Sequence, residues 1–147
     1  MMFGEEIENE IKEFINEIGN IRYYPDSNYG VEYLNNNFRF LGTKIDLSKE
    51  KNYVSYDFKK NNFLDMIKFF EFKDIKENIL ASNEIHYVGD GITNSELVFS
   101  GKEFFKLLEF LFVNIPEHHY FFDMEKKWCL LIATEGWIDY GEKSIEI

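Results

Sequence analysis

The chain has 147 residues and a formal net charge of −11, from 27 acidic and 16 basic side chains. The length suits a single domain, 1–147, and 45% hydrophobic content with 16 Phe, 9 Tyr and 2 Trp is enough for an aromatic core. So negative a field opposes phosphate, which argues against direct nucleic-acid binding; a basic protein or a metal cation is the compatible partner, and acidity also serves solubility.

The N-terminal "MMFGEEIENE" is acidic and lacks a basic, then apolar, leader pattern, so no signal peptide is expected. Phe3, Ile7, Ile11, Phe14, Ile15 and Ile18 recur at helical spacing and predict an amphipathic helix that Gly19 stops. Glu6, Glu10, Glu13 and Glu17 form a second stripe, either an acidic rail for a basic partner or a solvated flank.

From Asn20 to Asn37, Tyr23, Tyr24, Tyr29 and Tyr33 alternate with Pro25, Asp26, Asn28 and Gly30. Turn residues dominate, so a strand and loop are predicted. Exposed tyrosines suit protein interfaces, and they also cover core edges. "FRFLGTKIDLS" and "KNYVSYDF" carry short β-type runs that predict a hairpin between them. "NNFLDMIKFFEF" turns helical, Asp74 with Glu77 resembles a cap opening "DIKENIL", and "EIHYVGDG" reads as a strand ending in a turn.

Ser100 and Glu103 form an S-x-x-E capping box before a helix that is apolar nearly all round and stops at Pro116. Its run "FFKLLEFLFV" is broken by Lys106 and Glu109, and no stretch approaches the roughly 20 apolar residues that span a bilayer. A cytoplasmic location and no membrane partner are expected. The last third predicts a β-meander of "HHYFFD", "KWCLLIAT" and "WIDYG". Its middle strand is apolar on both faces, so it belongs inside the sheet with layers on both sides. Glu135-Gly136 fits a tight turn needing positive φ. Cys129, the one cysteine, reads as a buried inert thiol.

Catalytic signatures are not found. There is no nucleophile elbow, no P-loop and no dinucleotide fingerprint. His118 and His119 are neighbours on a strand and face opposite sides, so a metal would need His86 with one of them and Asp90 or Asp123. Hydrogen-bonded structural histidines are the simpler reading. No cofactor, metal or catalytic residue is expected, and a metal-dependent hydrolase built on His86, His118 and Asp123 is the least favoured alternative.

"IPEHHYFFDMEKKWCLLIATEGWIDYGE", Ile115 to Glu142, resembles a type of small bacterial domain. It pairs an aromatic strand carrying a double histidine with a short charged turn, "WCL", and a closing strand between glycines. The resemblance is to small acidic immunity proteins of polymorphic-toxin and contact-dependent growth inhibition systems. It implies a cytosolic antidote without catalysis that binds a basic cognate toxin, such as a nuclease, and blocks its active site. An acidic regulatory subunit or a phage nucleic-acid mimic is the alternative.

The expected architecture is α+β: an antiparallel sheet with the C-terminal meander, packed against the first helix and the helix near 101–113. The expected partner contacts are Asp123, Glu125, Glu135, Trp137, Asp139 and Tyr140, with Tyr24, Asp26 and Tyr29 as a reserve patch.

Overall fold

The computed structural model describes residues 3–42 and 44–143. Met1 and Met2 of the acidic N-terminal segment, the Phe3 side chain and Thr43 lie outside that description. The chain is α+β, and its main sheet is antiparallel throughout.

Helix α1 (Phe3–Ile18) buries Ile7, Ile11 and Ile15, one apolar side chain per turn. Gly19, at φ +75°, ends it with its N–H on the Ile15 carbonyl. Glu6, Glu10, Glu13 and Glu17 are all exposed. Strand β1 (Arg22–Tyr24) follows, then α2 (Asn28–Asn37), where the sequence predicted a loop. Leu34 is the reason: it packs with Phe38 on the sheet, and that burial outweighs the turn preference of Pro25, Asp26 and Asn28.

Strands β2 (Phe40–Leu41) and β3 (Lys44–Ile45) form a small hairpin inside the first of the two runs expected to pair. Strand β4 (Lys51–Asp57) instead crosses the molecule to join the last strand. Helix α3 (Phe63–Met66) is capped by Asn62, whose side chain accepts from Asp65 N–H, and runs through a 3-10 turn (Ile67–Glu71) into α4 (Lys73–Leu80). The expected Asp74–Glu77 cap is not formed: the N-cap of α4 is Phe72, two residues earlier, without a side-chain cap.

Strands β5 (Ile85–Asp90) and β6 (Glu96–Phe99) precede α5 (Gly101–Asn114). The α5 capping box is present: Ser100 Oγ accepts from Lys102 N–H, and Glu103 accepts from Ser100 N–H at 3.2 Å. The meander is β7 (His118–Asp123), β8 (Trp128–Ala133) and β9 (Trp137–Glu142). The sheet order is β1-β6-β5-β7-β8-β9-β4.

Every residue of β8 is buried, as its two apolar faces predict. On one face, Tyr87, Phe121, Leu130, Ile132 and Ile138 meet side chains of α1, α3, α4 and α5, including Ile11, Met66, Ile79, Phe104 and Leu107. On the other, Val88, Phe122, Cys129 and Leu131 meet a smaller cover of Leu34, Phe38, Ile45 and Leu47. Burying each large apolar side chain contributes about 2 kcal/mol. The thin cover leaves part of that second face open on both sides of α2.

Candidate partner-binding surface

The pleat decides which residues of β9 reach this second face. Ile138 and Tyr140 point into the main core, so Trp137 and Asp139 point the opposite way. Strand β4 brings Ser55 opposite Asp139 and Asp57 opposite Trp137. Ser55 Oγ donates to Asp139 Oδ1 at 2.6 Å. Burial raises the Asp139 carboxyl above the usual range; the Ser55 bond lowers it, and the Asp57 and Asp46 carboxylates push it further up. Two like charges, Asp57 and Asp139, therefore stand together without an ion-pair partner among the described residues, while Arg39 lies 3.9 Å from Asp46. Lys44 Nζ sits 4.3 Å from the Trp137 ring centre, a cation–π contact that helps hold a half-buried aromatic in place.

Gly136 turns β8 into β9 at φ +144°, a conformation few other residues adopt. A Cβ there would also lie 3.0 Å from the Phe58 carbonyl oxygen. The neighbouring Glu135 is exposed and lies 3.0 Å from His118 Nε2, while Asp90 lies 3.3 Å from His118 Nδ1. Glu135, Trp137 and Asp139, three of the six expected contacts on the meander, thus form one acid–aromatic strip.

The other three stand apart. Asp123 and Glu125 lie at the β7–β8 turn, the far end of the meander strands, roughly 20 Å away. Asp123 is only 2% exposed, and its Oδ1 accepts the Glu125 and Lys126 N–H groups at 2.9 Å each. It closes that turn, while Glu125 is exposed. Tyr140 is 1% exposed on the opposite face of the sheet; its hydroxyl donates to Glu142 at 2.7 Å and accepts from Asn78 at 3.2 Å.

Tyr24, Asp26 and Tyr29 line a cleft at the other side of α2, together with Arg22, Glu84, His86 and Glu96. The β5–β6 register, His86 opposite Val98 and Val88 opposite Glu96, turns all four side chains toward α2. Gly30 lets the helix approach: a Cβ there would stand 2.7 Å from Glu96 Oε1 and 3.0 Å from Val88. Gly30 N–H donates to Glu96 Oε1 at 2.8 Å, and His86 Nδ1 meets Oε2 at 2.7 Å. A buried carboxylate is costly unless hydrogen-bonded, and both Glu96 oxygens have a partner. His86 Nε2 faces Glu84 Oε1 at 3.4 Å, and its ring stacks on Phe122. Glu96 is not among the contacts expected from the sequence. Its signal was a lone carboxylate in the apolar run "ELVF", a residue that needs a buried partner.

His86, His118 and Asp123 do not converge. His86 lies opposite Phe122 and His118 opposite Asp90, four residues along the strands, and Asp123 lies on the other face. Among the described residues no three His, Cys, Asp or Glu side chains are placed to hold a metal. Burial pushes the Cys129 thiol far above its ordinary range, which disfavours a nucleophilic thiolate. No described helix is long and apolar enough to cross a membrane. No family model, curated protein or solved structure matches this chain.

Proposed function

We propose that the protein is an immunity-type inhibitor: a cytoplasmic domain that binds a basic cognate toxin and blocks it by occupancy, without turnover. One observation carries the reading. Asp57 and Asp139 stand beside Trp137 on the β9–β4 edge, and among the described residues neither has an ion-pair partner, Lys44 lying over the Trp137 ring and Arg39 at Asp46, so their mutual repulsion is uncompensated. A partner's lysine or arginine would relieve that repulsion, and Trp137 would supply the aromatic anchor around which interface energy concentrates. The carboxylates would stand where substrate phosphates meet a nuclease, and the long-range field would speed encounter.

The test is co-expression and pull-down with the protein encoded beside this one. A tight, salt-sensitive complex that Trp137→Ala and Asp139→Asn both weaken, with rescue of cells carrying that toxin, is the expected result. No complex and no rescue would overturn the reading.

A nucleic-acid mimic remains the alternative, favoured by one observation. Glu6, Glu10, Glu13 and Glu17 are exposed along one flank of α1, rising about 4.5–6 Å from each to the next. Replacing the four with Gln separates the readings: loss of partner binding would place the contact on α1.

A further inference from the structure

We propose that the cleft beside α2 is a subsite for one arginine side chain presented by a protein partner. Its walls are Tyr24 and Tyr29, 44% and 67% exposed, which face one concavity rather than the core. Its rim carries Asp26 and Glu84 and its floor the buried Glu96, three carboxylates against the Arg22 guanidinium and the His86 ring. Two flat aromatic walls and carboxylate acceptors are what a planar guanidinium recognises, by stacking and by paired N–H donation.

Two further observations point the same way. The chain's own Arg22 already shows the chemistry: one guanidinium nitrogen lies 3.1 Å from Glu84 Oε2, and another donates to the Tyr24 hydroxyl at 3.4 Å. Elsewhere lysines lie over Tyr23, Phe38, Phe105 and Trp137. Among the described residues no cation lies over the Tyr24 or Tyr29 ring. Asp26 has no described cationic partner either; its Oδ1 accepts Asn28 N–H, and its Oδ2 makes no described hydrogen bond. Arg22 serves the Glu84 side of the cleft and leaves the Asp26–Tyr29 side unserved. Asp26 supplies the unpaired charge that an occupant would meet, and the tyrosines fix its planarity.

The inference rests on reading the protein as a partner-binding domain, but not on the toxin or on the Trp137 strip. The experiment is an amide-resolved NMR titration of the full chain with N-acetyl-arginine amide, beside the neutral, isosteric N-acetyl-citrulline amide. Saturable shifts are expected at Tyr24, Asp26, Tyr29 and Gly30, the last because its N–H is bound to the floor carboxylate. Citrulline amide should leave them in place. Tyr29→Ala, and separately Asp26→Asn with Glu84→Gln, should weaken binding at least tenfold. These side chains are exposed, and an unchanged remainder of the spectrum verifies the fold. The proposal is overturned by no saturable shift at the cleft, by equal shifts with citrulline amide, or by shifts that spread to Asp139 and α1 and survive the variants. Failure here leaves the toxin test untouched, and a failed pull-down leaves this titration readable.

Discussion

The Tyr87 hydroxyl lies 2.6 Å from His119 Nδ1, joining two residues 32 positions apart in the middle of the sheet. The proton arrangement follows from the other ring nitrogen. Nε2 lies 3.0 Å from the Ile115 carbonyl, which can only accept, so Nε2 carries the hydrogen and Nδ1 accepts from Tyr87. Burial disfavours the imidazolium, pushing His119 down to about 4.

That depression has a definite sign in stability. Between about pH 4 and 6.5 the unfolded chain binds a proton at this histidine and the folded one does not. Stability from this group is therefore complete above about 6.5 and falls as the pH drops toward 4, by on the order of 3 kcal/mol. Urea midpoints of wild type and His119→Gln, compared across that range, isolate the contribution. The expected result is a wild-type curve that falls more steeply with acid, and a His119 ring that NMR finds neutral at pH 5.

The Glu96–His86 pair makes a second prediction. Glu96→Ala takes the partner from the Gly30 N–H and from His86 Nδ1, and His86→Ala takes it from Glu96 Oε2. Either should cost about 1–3 kcal/mol, as leaving a buried hydrogen-bonding group unsatisfied does. Chemical denaturation measures the loss. Hydrogen exchange at Gly30 should quicken more than at α5, because Glu96 is what holds the start of α2.

How much of this was legible in the sequence varies by element. The Ser100–Glu103 box, the apolar repeat of α1 and the double-faced β8 are local signals, and each is realised. Helix α2 was not legible, since Leu34 and Phe38 become helix-stabilising only once the sheet beneath them exists. The pairing of β4 with β9 was equally hidden, because nothing within "KNYVSYDF" names a partner some 80 residues on. The acid–aromatic strip was half legible. Alternation along "WIDYG" separates Trp137 and Asp139 from Tyr140, but only the sheet order supplies Ser55 and Asp57.

On the strip, Trp137→Ala should weaken the complex with a toxin partner by about 2 kcal/mol or more, roughly thirtyfold in Kd. Asp139→Asn should act mainly on the association rate and flatten its salt dependence, because it removes charge and keeps shape. Stopped-flow mixing at low and high salt distinguishes the two. A variant pair with identical salt slopes would remove Asp139 from the contact.

Gly136→Ala should destabilise by roughly 1–3 kcal/mol, since alanine resists φ +144° and its Cβ would meet the Phe58 carbonyl. Thermal unfolding reads the cost. Glu135 and Trp137 flank the turn, so affinity for the partner should fall with it, while the cleft beside α2 keeps its arginine-amide response.

The pairing of β4 with β9 also bears on how the protein comes into being. Ser55 and the Asp139 it holds are separated by 84 residues. At about 5–20 residues per second, a ribosome that has finished β4 works for roughly 4–17 seconds more before β9 is made. During that interval Tyr53, Val54 and Tyr56 have no strand to pair with, and the strip does not exist. If the strip is the partner contact, as proposed, binding competence would then arrive only with the last strand.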